Sequence, residues 1–206
     1  MNPNRTPFAC GIWLVLVLIL SACSRPPALQ PLSPDAVILA FGNSLTRGTG
    51  ASAAKSYPHQ LALLTGHTVI NAGVPGELSA EGRKRLPALL EKYQPELVLL
   101  CHGGNDLIRR LDPDQLADNL KAMVAASREA GAQAVLLAVP DFGLLMSAAD
   151  VYTEVAQSTG VPVETEAIPR VIRDRELKSD PIHPNGQGYA QVAEAVFRFL
   201  QEEGAL

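Results

Sequence analysis

The sequence is poor in aromatic residues and carries no excess of charge of either sign. Aromatic side chains make up 5% of its 206 residues, and 17 Lys and Arg against 21 Asp and Glu leave a net charge of −4. A nucleic-acid-binding protein usually carries a basic surface, and single-strand binders add aromatic platforms on which bases stack. The composition therefore argues against a nucleic-acid partner.

Nor does the sequence contain a hydrophobic run long enough to cross a membrane. Its longest run, Ile12 to Leu20, would measure about 14 Å as a helix, against a hydrocarbon core of about 30 Å. The run follows Arg5 and precedes small residues, which is the pattern of a secretory signal. We therefore assign residues 1–22 to a signal peptide and expect the protein to be exported.

The end of this signal, Leu20-Ser21-Ala22-Cys23, resembles the lipobox of bacterial lipoproteins. That resemblance implies that Cys23 is acylated, becomes the first mature residue and anchors the protein to a membrane on the periplasmic side. Ser24 is not the aspartate that retains lipoproteins in the inner membrane of well-studied Gram-negative bacteria, which favours the outer membrane. The alternative is an ordinary signal peptide cut near Ala22.

Cysteine is scarce as well, with three residues in the whole chain. Cys10 lies in the signal peptide and Cys23 would carry the lipid, so Cys101 alone remains and no intramolecular disulfide can form. Cys101 follows the apolar run Leu97 to Leu100, which predicts a buried structural thiol rather than a nucleophile.

The remaining chain divides into a short tether and one domain. Residues 23–35 are rich in proline and predict an extended tether without a fold of its own. Residues 36–206 have the length of one domain and contain short, continuous apolar runs, which are typical of parallel strands covered on both faces. The predicted strands are Val37 to Phe41, Thr68 to Ile70, Leu97 to Leu100, Ala134 to Val139 and, less clearly, Val161 to Val163.

Helical patterns lie between these strands. One helix begins at the capping residue Asp112 and continues to Gly131, and another covers Ser79 to Tyr93 despite an internal glycine and proline. The last carries its apolar stripe from Tyr189 to Leu200. The alternation predicts an α/β fold, a three-layer α/β/α sandwich with about five parallel strands.

Reactive groups in such sheets collect at the carboxyl ends of the strands, and four polar or glycine-rich segments of this sequence are predicted to follow strands. In the first, Ser44 comes two residues after Gly42, where it could present its hydroxyl. Thr46 stands where a G-x-S-x-G nucleophile elbow has glycine, which argues against the α/β-hydrolase fold. A simple turn is the alternative.

The segment Asp180-Pro181-Ile182-His183 is the strongest pattern. A stiff loop of this kind lets the carboxylate orient the imidazole while the other ring nitrogen faces a substrate. The alternative is an Asx-turn with a capping histidine before the last helix. A metal site is not favoured, because the remaining histidines show no paired ligand spacing; they are His59, His67 and His102.

Two further loops could donate hydrogen bonds to an oxyanion. Gly76 follows the second predicted strand and offers an unhindered backbone N–H, and Asn105 follows the third and offers a side-chain amide. Turn formation explains either residue equally well at this point.

Taken together and in this order, the four segments resemble the SGNH (GDSL) hydrolase family, and more closely its periplasmic thioesterase, lysophospholipase and arylesterase branch. The resemblance extends from about Val37 to Leu200 and implies the family's flavodoxin-like sheet. It implies further that Ser44 is the nucleophile, that Asp180 and His183 complete a triad, and that the Ser44 N–H, Gly76 and Asn105 form the oxyanion hole.

The resemblance also implies an acyl-serine mechanism that needs no metal or organic cofactor. We expect a monomeric hydrolase of small acyl or aryl esters, thioesters or lysophospholipids. One alternative is removal of O-acetyl groups from cell-wall or other polysaccharides. Another is a surface lipoprotein that only binds a partner, although the intact triad argues against it.

Two departures from the family pattern are visible. Asn43 stands where the family usually has aspartate, which bears on the rigidity and electrostatics of the nucleophile loop. The segment Asp141 to Gly160 is short for this branch and leaves the length of the acyl group open.

Overall fold

The computed structural model describes residues 28–143 and 145–206, so the predicted signal peptide and Cys23 lie outside the described residues. In the described part, five parallel strands form one sheet in the order β2-β1-β3-β4-β5. This is the predicted α/β class and strand number. The strands are β1 (Val37–Gly42), β2 (Thr68–Gly73), β3 (Leu97–Cys101), β4 (Gln133–Leu137) and β5 (Val163–Glu164).

Helices cover both faces of this sheet, as the three-layer prediction requires. They fall into two groups that pack among themselves, α2 and α7 against α8, and α3 and α6 against α5. Short 3₁₀ turns cover Ala53–Lys55 and Arg175–Leu177. The helices are α1 (Ser44–Arg47), α2 (Tyr57–Thr65), α3 (Ser79–Tyr93), α4 (Gly104–Ile108), α5 (Pro113–Glu129), α6 (Asp150–Thr159), α7 (Ala167–Arg173) and α8 (Gly186–Glu202).

The burial of each strand agrees with its position in the sheet. Strand β3 is buried along its whole length and β1 along all but its first residue, because they lie in the middle of the sheet with helices on both sides. Strand β2 is an edge strand, and its polar residues Thr68 and Asn71 are exposed. No helix within residues 28–143 and 145–206 has the length and apolarity needed to span a bilayer.

Two details of the sheet differ from the sequence prediction. Strand β4 begins at Gln133 and ends at Leu137, two residues before the predicted end, and the next residues turn toward Pro140, which bridges to Ala148. Strand β5 has only two residues, of which Val163 alone lies in the predicted range. A strand this short carries almost no periodic signal, so its bounds could not be read from the sequence.

The tether prediction is wrong for its last part, because residues 28–33 are fastened to the domain. Leu29 is buried and its N–H donates to the Glu203 carbonyl at 2.9 Å, while the Ser33 N–H and hydroxyl donate to the Glu96 carboxylate. Glu96 immediately precedes β3, so this segment runs along the amino ends of the strands. Residues 28–33 therefore pack with the domain instead of forming a separate tether.

Candidate active site

Ser44 opens α1 directly beyond the carboxyl end of β1. The turn between them is tight: a Cβ on Gly42 would lie 2.6 Å from the Cys101 carbonyl oxygen, so only glycine fits. Asn43 caps α1 and is buried, and its Oδ1 accepts a hydrogen bond from the Leu45 N–H at 3.1 Å. Since asparagine supplies the same acceptor oxygen as aspartate, the cap is retained despite the departure at this position.

Asp180, His183 and Ser44 form a continuous hydrogen-bonded chain. The Asp180 Oδ2 lies 2.7 Å from His183 Nδ1, and His183 Nε2 lies 3.0 Å from the Ser44 Oγ. The imidazole is mostly buried, with 15% of the side chain exposed. The structure thus brings together three residues that are up to 139 positions apart in the chain.

The charge on Asp180 determines which ring nitrogen carries the proton. Burial by itself raises the pKa of Asp180, but hydrogen bonds from the Ile182 N–H and from the His183 ring and N–H outweigh it and lower the pKa overall. An ionised carboxylate can only accept, so His183 Nδ1 donates to it. This leaves Nε2 as the acceptor for the Ser44 hydroxyl proton, which is the orientation that a general base needs.

The loop that carries Asp180 and His183 is held by its own backbone. The Ser179 N–H donates to the His183 carbonyl at 3.0 Å, and the Asp180 Oδ1 accepts from the Ile182 N–H at 2.9 Å. The predicted Asx-turn is therefore present, but it leaves Oδ2 free to orient the ring. The helix-capping alternative for His183 is wrong, because Asn185 caps α8.

One expectation about this loop is corrected. It does not follow a strand: β5 is followed by α7 and by the 3₁₀ turn Arg175–Leu177, and the loop comes after that turn. The other three segments do follow the carboxyl ends of β1, β2 and β3.

Gly76 lies in a turn from Val74 to Glu77, in which the Glu77 N–H donates to the Val74 carbonyl at 3.2 Å. Pro75 followed by a residue at φ +80° is the pattern of a type II turn, which requires glycine at this point. A Cβ on Gly76 would meet nothing within 4 Å, so conformation and not space selects the glycine. Among the residues that the structure describes, the Gly76 N–H has no acceptor.

Asn105 lies between the turn that carries Gly76 and the cavity beside Ser44. Its Nδ2 donates to the Glu77 carbonyl at 2.9 Å, which uses one of two amide hydrogens. Asn105 also lines, with Ser44 and His183, a small cavity of about 10 Å³. Gly76 does not line that cavity and is linked to it through Glu77 and Asn105. The other lining residues are Asn43, Leu45, Gly104, Ile108, Phe142 and Ile182.

A buried charged cluster behind the turn was not found from the sequence. The Glu77 carboxylate accepts two hydrogen bonds of 2.6 Å from Arg85 and one of 2.8 Å from His102 Nε2. Burial by itself raises the pKa of Glu77, but the hydrogen bonds and charges of His102 and Arg85 outweigh it and lower the pKa to about 2. Glu77 is therefore ionised, and His102 Nε2 is the donor.

This cluster predicts a pH dependence of stability. Because the folded pKa of Glu77 lies below its ordinary value of 4.5, the ionised group stabilises the fold above that value and loses this effect as the pH falls toward 2. In urea unfolding, we expect the stability difference between wild type and Glu77→Gln to be largest above about pH 5 and to close below it. A difference that does not vary with pH would contradict the ion-pair assignment.

The described residues outside the triad offer neither a reactive thiol nor a metal site. Cys101 is buried as predicted, and burial raises the pKa of its thiol to about 12, so it is an inert thiol at neutral pH. Within residues 28–143 and 145–206, no three His, Cys, Asp or Glu side chains are grouped so that they could hold a metal ion.

The arrangement matches the requirements of acyl transfer. A serine hydroxyl contacts a histidine base, a carboxylate orients that base, and an amide donor lies at the same small cavity. The sequence model of the GDSL-like lipase/acylhydrolase family matches residues 40–191 of the chain.

Individual proteins of known activity are similar over most of the chain. An arylesterase from Vibrio mimicus is 31% identical over 198 residues, which are 91% of this chain and 95% of the relative. The thioesterase 1/protease 1/lysophospholipase L1 of Escherichia coli K12 is 30% identical over 175 residues, 80% of this chain and 83% of the relative. The crystal structure of the psychrotrophic esterase EstA from Pseudoalteromonas sp., inhibited by monoethylphosphonate, is 26% identical with a TM-score of 0.73, and the match covers 82% of this chain and 98% of EstA.

Proposed function

The chain belongs to the GDSL-like lipase/acylhydrolase (SGNH hydrolase) family and is an ester hydrolase, and we propose that it acts through an ester formed on Ser44. The 3.0 Å contact between His183 Nε2 and the Ser44 Oγ is the observation that carries this proposal. His183 takes the hydroxyl proton as Oγ attacks the carbonyl carbon, then gives it to the leaving alcohol or thiol. Water then attacks the ester carbonyl while His183 takes its proton, and the proton returns to the Ser44 Oγ as the acid leaves. Asp180 stabilises the imidazolium in both steps.

We propose that the charge on the carbonyl oxygen is met by three donors. They are the backbone N–H groups of Ser44 and Gly76 and the second amide hydrogen of Asn105. Asn105 lines the same cavity as Ser44, and the Gly76 N–H has no acceptor among the described residues. Donors held in place before the reaction stabilise the transition state without reorganisation.

The surroundings of Ser44 favour a short acyl group. Leu45, Ile108, Phe142 and Ile182 make the cavity mostly apolar, and its volume of about 10 Å³ is close to the room that one water molecule needs. A short acyl group needs the least room beside Ser44, whereas a long chain would extend onto the exposed surface. We therefore propose small acyl and aryl esters as substrates.

A series of p-nitrophenyl esters from acetate to laurate tests this proposal. We expect kcat/KM to be highest for the shortest chains, and Phe142→Ala to shift the optimum to longer ones because it widens the cavity. Leu145→Ala is the matched control, since Leu145 is 75% exposed and does not line the cavity. A maximum at laurate in wild type would contradict the short-chain proposal. Acetate release from O-acetylated polysaccharide would identify the acetylesterase alternative.

We propose further that the enzyme is a monomer, anchored through lipid on Cys23 and facing the periplasm from the outer membrane. The Leu20-Ser21-Ala22-Cys23 sequence supports the anchor, and Ser24 supports the outer membrane.

Replacement of the proposed lipid attachment site tests the anchor. In cells labelled with radioactive palmitate, we expect wild type to carry the label and Cys23→Ser to carry none, because only the thiol of residue 23 would be acylated. Cys10→Ser is the control and should remain labelled, since Cys10 lies within the signal. An unlabelled wild-type protein would exclude the anchor.

A further inference from the structure

The turn that carries Gly76 is held at both ends by one guanidinium group. Arg85, on α3, donates from Nη2 to the Ala72 carbonyl at 3.0 Å and from Nε and Nη2 to the Glu77 carboxylate at 2.6 Å. Ala72 lies before the turn and Glu77 ends it. The guanidinium also lies over the Phe41 ring, 4.3 Å from its centre, so it is fixed on the core strand β1.

The loop that carries Asn105 is held by the same carboxylate. His102 follows β3 directly, is fully buried, and donates from Nε2 to the Glu77 Oε2 at 2.8 Å. A Cβ on Gly82 would lie 2.4 Å from this nitrogen, so the glycine in the middle of α3 makes room for the ring. His102 is three residues before Asn105, and its contact to Glu77 joins the second loop to the first.

Glu77 is therefore linked to two of the three proposed oxyanion donors, Gly76 and Asn105. It follows Gly76 in the chain, its carbonyl accepts the Asn105 amide at 2.9 Å, and its carboxylate is held by Arg85 and His102. We propose that Glu77 is a positioning residue that fixes the Gly76 N–H and the Asn105 amide relative to each other, with Arg85 and His102 as its supports. This proposal rests on the oxyanion hole of the proposed function.

Stability alone is a weak reason for such a cluster. A buried ion pair costs desolvation, and well-packed apolar side chains of similar volume are often as stable. Geometry is a better reason, because oxyanion donors act only at about 2.7–3.1 Å from the developing charge. A displacement of about 1 Å in a catalytic site can cost on the order of 100-fold in rate. Charge-assisted hydrogen bonds provide the stiffness that this tolerance requires.

The test compares Glu77→Gln with a buried carboxylate elsewhere. Glutamine keeps the size and the backbone carbonyl but loses the charge, so we expect kcat on p-nitrophenyl acetate to fall at least about tenfold with KM within about twofold. Glu164→Gln is the control: Glu164 is also buried, and it accepts hydrogen bonds from the Glu166 and Ala167 N–H groups at the start of α7. Glu164→Gln removes a buried carboxylate outside the cavity, so kcat should stay unchanged.

A pair of substitutions at His102 provides the second measurement, should Glu77→Gln not fold. The glutamine amide can place a donor where His102 Nε2 lies, and leucine cannot. We expect His102→Leu to lower kcat about tenfold and His102→Gln to recover most of it, at comparable stability.

Two outcomes would overturn the positioning role. One is a kcat within twofold of wild type in Glu77→Gln, or in both His102 variants alike. The other is a loss confined to KM. Failure of the proposed function is recognised separately, because Ser44→Ala would then retain activity.

Discussion

Replacing Ser44 with alanine is expected to lower kcat on p-nitrophenyl acetate by on the order of 10⁶-fold, which is the scale seen when a triad serine is removed. The substitution removes only the hydroxyl group, whose oxygen lies 3.0 Å from His183 Nε2. No covalent intermediate can then form. Stability should change little, by about 0.5 kcal/mol or less in urea unfolding, because Ser44 is only partly buried and its side chain fills no core position.

A phosphonate probe adds a direct assignment. Mass spectrometry of the labelled wild-type protein should place one adduct on the peptide that contains Ser44, and Ser44→Ala should remain unlabelled. Ser158→Ala is the matched control, since the Ser158 hydroxyl only donates to the Val155 carbonyl of its own helix. An adduct on another residue, or a wild-type rate in Ser44→Ala, would remove the nucleophile assignment.

Replacing Asn105 with alanine is expected to lower kcat by about 10²–10³-fold, or roughly 2.7–4 kcal/mol, with a smaller change in KM. The donor meets a charge that develops only in the transition state, so its loss affects chemistry more than binding. The same substitution removes the hydrogen bond to the Glu77 carbonyl and should cost about 1 kcal/mol of stability.

Asn119→Ala separates these two effects. The Asn119 amide also makes one donated hydrogen bond, 3.0 Å long, to the Ser79 hydroxyl, but it does not line the cavity. We expect a similar shift of the urea midpoint and a near-normal kcat for this variant. A shifted midpoint with near-normal kcat in Asn105→Ala itself would leave Asn105 a structural residue and exclude it from the oxyanion hole.

The central part of the fold could be predicted from the sequence because its signals are local. Strands β1 and β3 are continuous apolar runs, and α3 and α5 keep helical spacing, so their positions followed directly. Helix α7 was missed because it has only seven residues with a proline among them. The edge strand β2 was predicted three residues short, since its apolar run stops at the exposed Asn71 and the strand ends with the small residues Ala72 and Gly73.

The residues of the candidate site could be proposed from the sequence where they follow a strand or lie close together in the chain. Ser44, Gly76 and Asn105 each follow a strand, and Asp180 and His183 are three residues apart. The contacts among these groups depend on how the strands are ordered in the sheet, which no local pattern encodes.

The cluster of Glu77, Arg85 and His102 was missed for the same reason. His102 and Glu77 are 25 residues apart and lie on loops after different strands. An isolated histidine and an isolated acid have many ordinary explanations in a sequence. Only the parallel pairing of β1 with both β2 and β3 brings their loops together.

Residues 28–33 are attached along the amino ends of the strands, whereas Ser44 follows the carboxyl end of β1. Four residues, and therefore five Cα–Cα steps, separate Cys23 from Ala28, a covalent reach of at most about 18 Å. The six residues of β1 alone span about 20 Å before Ser44 is reached. A bilayer that holds Cys23 would thus lie on the side of the amino ends of the strands, and the cavity would face away from it. Under the proposed anchor, lipids of that leaflet would be beyond the reach of the serine, while dissolved esters would approach it from the opposite side.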